Sequence, residues 1–276
     1  MRILSVRTVI LAIFLGFSSL SFAQPTPHHC LGFDRNDYPG DNLLPALRKT
    51  FEWTGYWLNN PPGANQNTWA GKRNIVKAAG FGFAVLYNGR VDKELKGKNA
   101  TQIGQRDGRD AAARANAEGF HAGTTIFVDQ EEGGRMLSEQ RAYLHGWIDE
   151  VTAAGFRAGI YCSAVPFKES KGVTVVTAND IHDNAQGRRI SFWVYNDACG
   201  PSQGCVFPKH PPAPAKSGVA YAEIWQFAQS PRREESKACP KNYNSDGNCY
   251  PPELPVEATT HVDVNTSTSA DPSHGR

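Results

Sequence analysis

Short apolar runs, each bounded by turn residues and separated by stretches of helical periodicity, recur along almost the whole chain. Parallel strands joined by crossover helices require that alternation, because each strand must be carried back across the sheet before the next can pair beside it. The runs are Leu31–Asp34, Trp53–Leu58, Gly82–Tyr87, Thr124–Asp129, Ala158–Tyr161, Ser191–Tyr195, Glu223–Phe227 and His261–Val264. Eight such runs are the complement of an α/β fold closed as a (β/α)8 TIM-type barrel, for which roughly 250 residues suffice as a single domain. Helices are predicted most clearly over Asp107–Glu118, which is Ala-rich with Gly119 just beyond, and over Ser138–Ala154. In the second, Ser138 serves as cap, Leu144, Ile148 and Val151 share a face, and Gly155 ends the run. After Tyr195, long Pro- and Gly-containing loops at 198–220 and 229–258 replace clear helical patterns, so an irregular barrel is expected.

The ends of the chain read differently. Arg2 and Arg7, an apolar stretch from Val9 to Phe17 and the small-x-small pattern Ser21-Phe22-Ala23 form a secretory signal pattern cleaved after Ala23, which predicts a secreted or periplasmic protein. The stretch falls short of the roughly 20 apolar residues of a membrane span, so no stable membrane anchor is expected. Residues 24–265 are assigned to the domain, and 266–276, rich in Ser, Thr, Asp and His, to a disordered tail. Without Arg2 and Arg7 the 29 basic residues fall to 27, equal to the 27 acids, and a neutral chain gives no reason to expect a nucleic-acid partner. A monomer is expected. In an exported chain Cys30, Cys162, Cys199, Cys205, Cys239 and Cys249 favour disulfides. Proximity favours Cys199 with Cys205 and Cys239 with Cys249, with Cys162–Cys199 as an alternative.

In a parallel barrel the side chains that perform chemistry lie where strands end and βα loops begin. That rule gathers Asp34, Tyr87, Asp129, Glu131, Tyr161, Tyr195, Asp197, Trp225, Gln226, Asp263 and Asn265 at one rim. In FVDQEEGG, Asp129 and Glu131 are two apart, so in a continuing strand they point to one side with Cα atoms about 6.5 to 7 Å apart, while Ile126 and Val128 face the helices. Two carboxylates this close cannot both ionise freely, and a raised pKa is what a general acid needs near neutral pH. Paired carboxylates flanked by aromatics and amides suit cleavage of a glycosidic bond, one acid protonating the leaving oxygen and one carboxylate serving the opposite side of the sugar. Gly133-Gly134 would let backbone approach a ligand. A solvated acidic loop would also place three acids after a strand; Asp34 and Asp263 at the same rim favour a site.

Other patterns carry less. Residues 242–253 alternate like a calcium loop, but Asn242 stands first, Pro251-Pro252 precedes Glu253, and no good entering helix comes before it. The eight histidines show no zinc spacing, His28-His29 reads as an exposed arm, and Cys162 lacks the setting of a thiol nucleophile; no metal and no cofactor are expected.

GFDRNDYPG, FVDQEE, GIYCS, FWVYND, EIWQFAQ and VDVN, in this order from Gly32 to Asn265, resemble the secreted glycoside-hydrolase-like TIM-barrel family, formerly a domain of unknown function, related to the family 25 lysozymes. The resemblance implies that Glu131 is the general acid and that Asp129 stabilises charge or positions water or the substrate's N-acetyl group. Asp34 and Asp263 would complete an acidic floor, and Tyr161, Tyr195, Trp225 and Gln226 would line the sugar site. It implies action on an amino-sugar polymer, peptidoglycan foremost; the alternative is a non-catalytic cell-wall or carbohydrate-binding barrel that retains the acidic cleft. Glu132 adds a third acid, and YWLNNPPGANQNTW (56–69) resembles the hydrolase-like branch more than true lysozymes.

Overall fold

The computed structural model describes residues 28–197, 210–229, 253–254 and 260–276. The signal segment, Cys199, Cys205, Cys239, Cys249 and nearly all of the calcium-like stretch lie outside them. Eight strands close a barrel: β1 (Cys30–Asp34), β2 (Trp53–Trp57), β3 (Gly82–Asn88), β4 (Thr125–Gln130), β5 (Arg157–Ser163), β8 (Ser191–Tyr195), β9 (Ile224–Ala228) and β10 (Asp263–Ser267), in the order β1-β10-β9-β8-β5-β4-β3-β2. A two-stranded hairpin, β6 (Phe167–Lys168) and β7 (Thr174–Val175), stands apart.

Every predicted run contributes to a barrel strand, but the last differs in position and direction. It spans Asp263–Ser267 and pairs antiparallel with both β1 and β9, whereas the other barrel neighbours are parallel. An antiparallel strand can enter from the rim where its predecessor ended and needs no return crossing. Its first residue therefore lies at the rim: Asp263 pairs in register with Asp34, and Asn265 lies one layer deeper opposite Gln226.

The helices are α1 (Leu44–Leu47), α2 (Arg73–Ala78), α3 (Asp92–Leu95), α4 (Ala100–Glu118), α5 (Ser138–Ala153) and α6 (Thr177–Asp183). α4 starts earlier than predicted because Asn99 caps it, its side-chain oxygen accepting from the Gln102 N–H at 3.1 Å. In α5 Ser138 is the first helical residue, not the cap; the Leu137 N–H is met instead by Gln140 Oε1 at 2.9 Å. Between β8 and β9 the described residues form only a 3-10 turn at Pro214–Ser217, in keeping with the weak helical pattern there.

The barrel interior is filled. Trp193 packs edge-on against Trp53, Phe127 and Tyr161 at centroid distances of 5.9, 5.8 and 5.3 Å. Gly32 and Gly159 make room, since a Cβ at either would fall inside the Trp53 or Phe127 ring. This aromatic plug leaves the rim as the place for a ligand.

The expectation of a disordered tail is overturned. Thr266 and Ser267 complete β10, and the residues beyond it close the barrel's lower end. Ser273 is fully buried: its Oγ accepts from Val85 N–H at 2.8 Å, its N–H donates to Phe83 O at 2.7 Å, and its carbonyl accepts from Thr125 N–H at 2.8 Å. Asp271 accepts from Phe83 N–H, and Arg73 donates to Gly275 O, each at 2.8 Å. Strand starts expose backbone groups that need partners, and a polar tail supplies them. Cys30 and Cys162 are buried free thiols, so the Cys162–Cys199 alternative is not formed. Among the described residues no helix is long and apolar enough to cross a membrane.

Candidate functional site at the rim

The last residues of β4 answer why three acids crowd one loop. Asp129 points into the barrel mouth and is 6% exposed; Glu131, one residue past the strand, is exposed at the lip. Glu132 turns away, its Oε2 accepting from Asp92 N–H at 2.7 Å and Gln140 Nε2 at 2.6 Å, so it braces the starts of α3 and α5. Gly134, at φ 95°, is also structural: its N–H and carbonyl both bond Thr177 Oγ1 at 2.9 Å, and the Phe167 ring packs over it.

Asp34, Asn36, Trp57, Leu86, Asp129, Glu131, Tyr161, Trp193 and Asp263 line one small well with a volume of about 40 Å³. Beneath it a directed network converges on Asp34. Tyr161 donates to Gln226 Oε1 at 2.9 Å, and Gln226 donates to Asp34 Oδ1 at 3.1 Å and Asp263 Oδ2 at 3.4 Å. Trp193 donates to Asn265 Oδ1 at 2.9 Å, and Asn265 donates to Asp34 Oδ1 at 2.7 Å. Tyr195 donates to the Glu131 carbonyl at 2.8 Å and fixes the backbone where the strand ends. Burial raises the pKa of both phenols, which keeps them neutral donors.

Asp34 is the acid on which this buried network converges. Burial, and then the charge of Asp263, push its carboxyl well above the usual carboxylate range; the Asn265 and Gln226 amides oppose this without offsetting it. The folded chain thus keeps a proton that the unfolded chain releases near pH ~4, so the associated stability is complete below that pH and is lost as pH rises toward the folded value. Asp34→Asn should therefore gain stability relative to the parent as pH rises above about 4, at a limiting ~1.4 kcal/mol per pH unit, and its Tm should rise relative to the parent's over the same range. Melting curves across pH check this, and a pH-independent difference would remove the explanation.

Six of the sequence-selected residues do not line the well: Tyr195, Gln226 and Asn265 belong to the hydrogen bonds around it, and Tyr87, Trp225 and Asp197 stand apart. Tyr87 faces outward, its hydroxyl donating to Asp110 of α4 at 3.0 Å and its ring 6.4 Å from Trp147 of α5. Trp225 also faces outward, donating to Asn196 O and packing on Phe227, because its neighbour Gln226 takes the inward position. Asp197 is exposed beyond β8 and does not line the well. For Tyr87 and Trp225 strand alternation is the reason: only every second side chain can point inward. The sequence reading passed over Trp57, Trp193 and Asn36; alternation from Gly55 and Tyr195 would have placed both tryptophans inside.

A larger depression, about 560 Å³, contains Tyr87, Asn59, Asn60, Asn88, Arg90 and Arg114. Several of its polar groups are spent internally: Asn59 and Asn88 bond across the two loops at 2.7 and 3.1 Å, Arg90 pairs with Asp107 at 2.7 Å, and Arg114 with Asp110 at 2.6 Å. The larger depression has two carboxylates, Glu94 and Asp110, both paired with arginines, whereas the smaller well gathers four.

The chain is similar to an uncharacterized protein of B. stearothermophilus at 18% identity, covering 86% of this chain and 95% of that one with a TM-score of 0.54. It is also similar to the Mycobacterium tuberculosis Tat-secreted protein Rv2525c (14% identity, 88% and 96% coverage, TM-score 0.49) and to a family GH25 lysozyme from Aspergillus fumigatus (14%, 87% and 93%, TM-score 0.47). No curated protein matches it. The profile described as the Rv2525c-like, glycoside hydrolase-like domain matches residues 55–215, which include Asp129, Glu131, Tyr161 and Tyr195 and exclude Asp34, Gln226, Asp263 and Asn265. With more than half its length matched, and a closed eight-stranded barrel around it, the chain belongs to the Rv2525c-like glycoside hydrolase-like family.

Proposed function

We propose that the protein is an exported glycosidase that hydrolyses an amino-sugar polymer of the peptidoglycan class. The observation that carries this reading is the convergence of Asp34, Asp129, Glu131 and Asp263, from three separate regions of the chain, on one well floored by Tyr161 and Trp193. Glu131, exposed at the lip, is the general acid that protonates the departing glycosidic oxygen. Asp129, set deeper, stabilises the positive charge that develops on the sugar or positions the attacking water or acetamido group. Asp34 accepts two amide donors on Oδ1, which leaves Oδ2 free of those two amides and facing the well as a contact for a substrate hydroxyl. Trp57 and Tyr161 present ring surface to a sugar.

A polymer suits the surroundings better than a small metabolite. Asn36 belongs both to the well and to a shallow trough of about 460 Å³ lined by Asn36, Asp37 and residues 62–66, so the well opens onto a path along the rim. The signal pattern in residues 1–23 supports export to where cell-wall glycans lie.

The test is incubation with purified peptidoglycan and, separately, with a chitin oligomer, following new reducing ends. Release from peptidoglycan in preference to chitin is expected. Sedimentation with peptidoglycan without any release would replace the enzyme by the carbohydrate-binding alternative.

A further inference from the structure

We propose that His28, Cys30 and Glu52 form a binding site for one zinc-class divalent cation, at the end of the barrel opposite the acidic well. The imidazole Nδ1 or Nε2, the Cys30 Sγ and a Glu52 carboxylate oxygen lie within 4.8 Å of one another. Cys30 Sγ and His28 Nδ1 are 3.6 Å apart. A tetrahedral zinc ion with bonds of about 2.3 Å to sulfur and about 2.05 Å to nitrogen spans an S···N edge of about 3.6 Å, so these two groups already stand at coordination spacing.

The donor set selects the ion. Thiolate and imidazole favour zinc over calcium or magnesium, which take oxygen ligands. Thiolate and carboxylate together carry two negative charges, which balance the cation; the thiol proton leaves to solvent and no electron is transferred. Three protein ligands leave a fourth position for water. His28 lies two residues before Cys30, the first residue of β1, and Glu52 immediately precedes β2, so no short-range spacing rule reveals the trio.

The site is held by the sheet. Glu52 N–H donates to Leu31 O at 2.8 Å, Gly82 N–H donates to Glu52 O at 2.9 Å, and Trp53 Nε1 donates to Cys30 O at 3.3 Å. Cys30 is buried and His28 is exposed, which gives the ion a way in. β1 and β2 share only two register pairs, Gly32 with Trp53 and Phe33 with Thr54. An ion bridging Cys30 and Glu52 reinforces this shortest ladder of the barrel, and its role is that of a staple.

The experiment titrates the tag-free, full-length protein with zinc and with cobalt, after peptide mapping of the thiols. Cys30 should map as reduced. One ion should bind per chain, cobalt should give a thiolate-to-metal charge-transfer band, and zinc should raise Tm in a way that a chelator reverses. His28→Ala, at an exposed position that does not threaten the fold, and Glu52→Gln should each weaken binding by roughly 10- to 100-fold. Cys162→Ser and Asp263→Asn should bind as the parent does. The proposal is overturned if Cys30 maps within a disulfide, if neither His28→Ala nor Glu52→Gln changes the affinity, or if binding is lost in Asp263→Asn, which would place the ion in the acidic well.

Discussion

Glu131→Gln is expected to lower the rate of glycosidic cleavage by roughly a hundred- to ten-thousand-fold, the usual contribution of a positioned general acid. The amide keeps the shape of the side chain but cannot deliver a proton to the departing oxygen. Because Glu131 is exposed and its backbone is fixed by Tyr195, the substitution should leave Tm unchanged. Glycan binding, measured by sedimentation with peptidoglycan, should stay within a few-fold, so the loss appears in kcat. Equal loss in a Glu132→Gln control would contradict the assignment, since Glu132 is committed to Asp92 and Gln140 and does not line the well. A leaving group that needs no protonation, such as a fluoride, should be affected much less by Glu131→Gln, and that contrast separates acid catalysis from general damage to the site.

Ending the chain after Thr268 is expected to destabilise it by roughly 3 to 6 kcal/mol, a large fraction of the 5 to 15 kcal/mol typical of a folded domain. The cut removes the partners of Val85 N–H, Phe83 N–H and Thr125 N–H and leaves Phe83 and Phe120 without the segment laid across them. Water can reach the freed groups once the tail is gone, which keeps the cost below the full burial penalty. Gly82→Ala should act in the same direction by another route, because its Cβ would overlap the Ala270 carbonyl and push the tail off. Urea unfolding followed by tryptophan fluorescence measures both; an unchanged midpoint for the truncated chain would show that the tail contributes nothing to stability.

What was legible in the sequence follows from how local each signal is. Apolar runs and turn residues are properties of short segments, and they located every barrel strand, with only the last displaced along the chain. The position rule for strand ends brought Asp34, Asp129, Glu131 and Asp263 to the same mouth, where the well contains all four. It chose Tyr87 and Trp225 wrongly because it counted distance to the strand end without counting parity. Polar composition misread residues 266–276 as disordered, because Ser, Thr and Asp look alike whether they face water or serve exposed backbone groups.

By itself the sequence determined the number of strands, the closed α/β class and the candidate acids, since those depend on periodicity and on residues near strand ends. Only the tertiary structure decided that the last strand runs antiparallel, that Gln226 and Asn265 converge on Asp34, and that burial beside Asp263 pushes the Asp34 carboxyl above the usual carboxylate range. It also brought His28, Cys30 and Glu52 together. Each of these depends on which residues the closed sheet sets side by side and how far it removes them from water, and no local pattern along the chain carries that information.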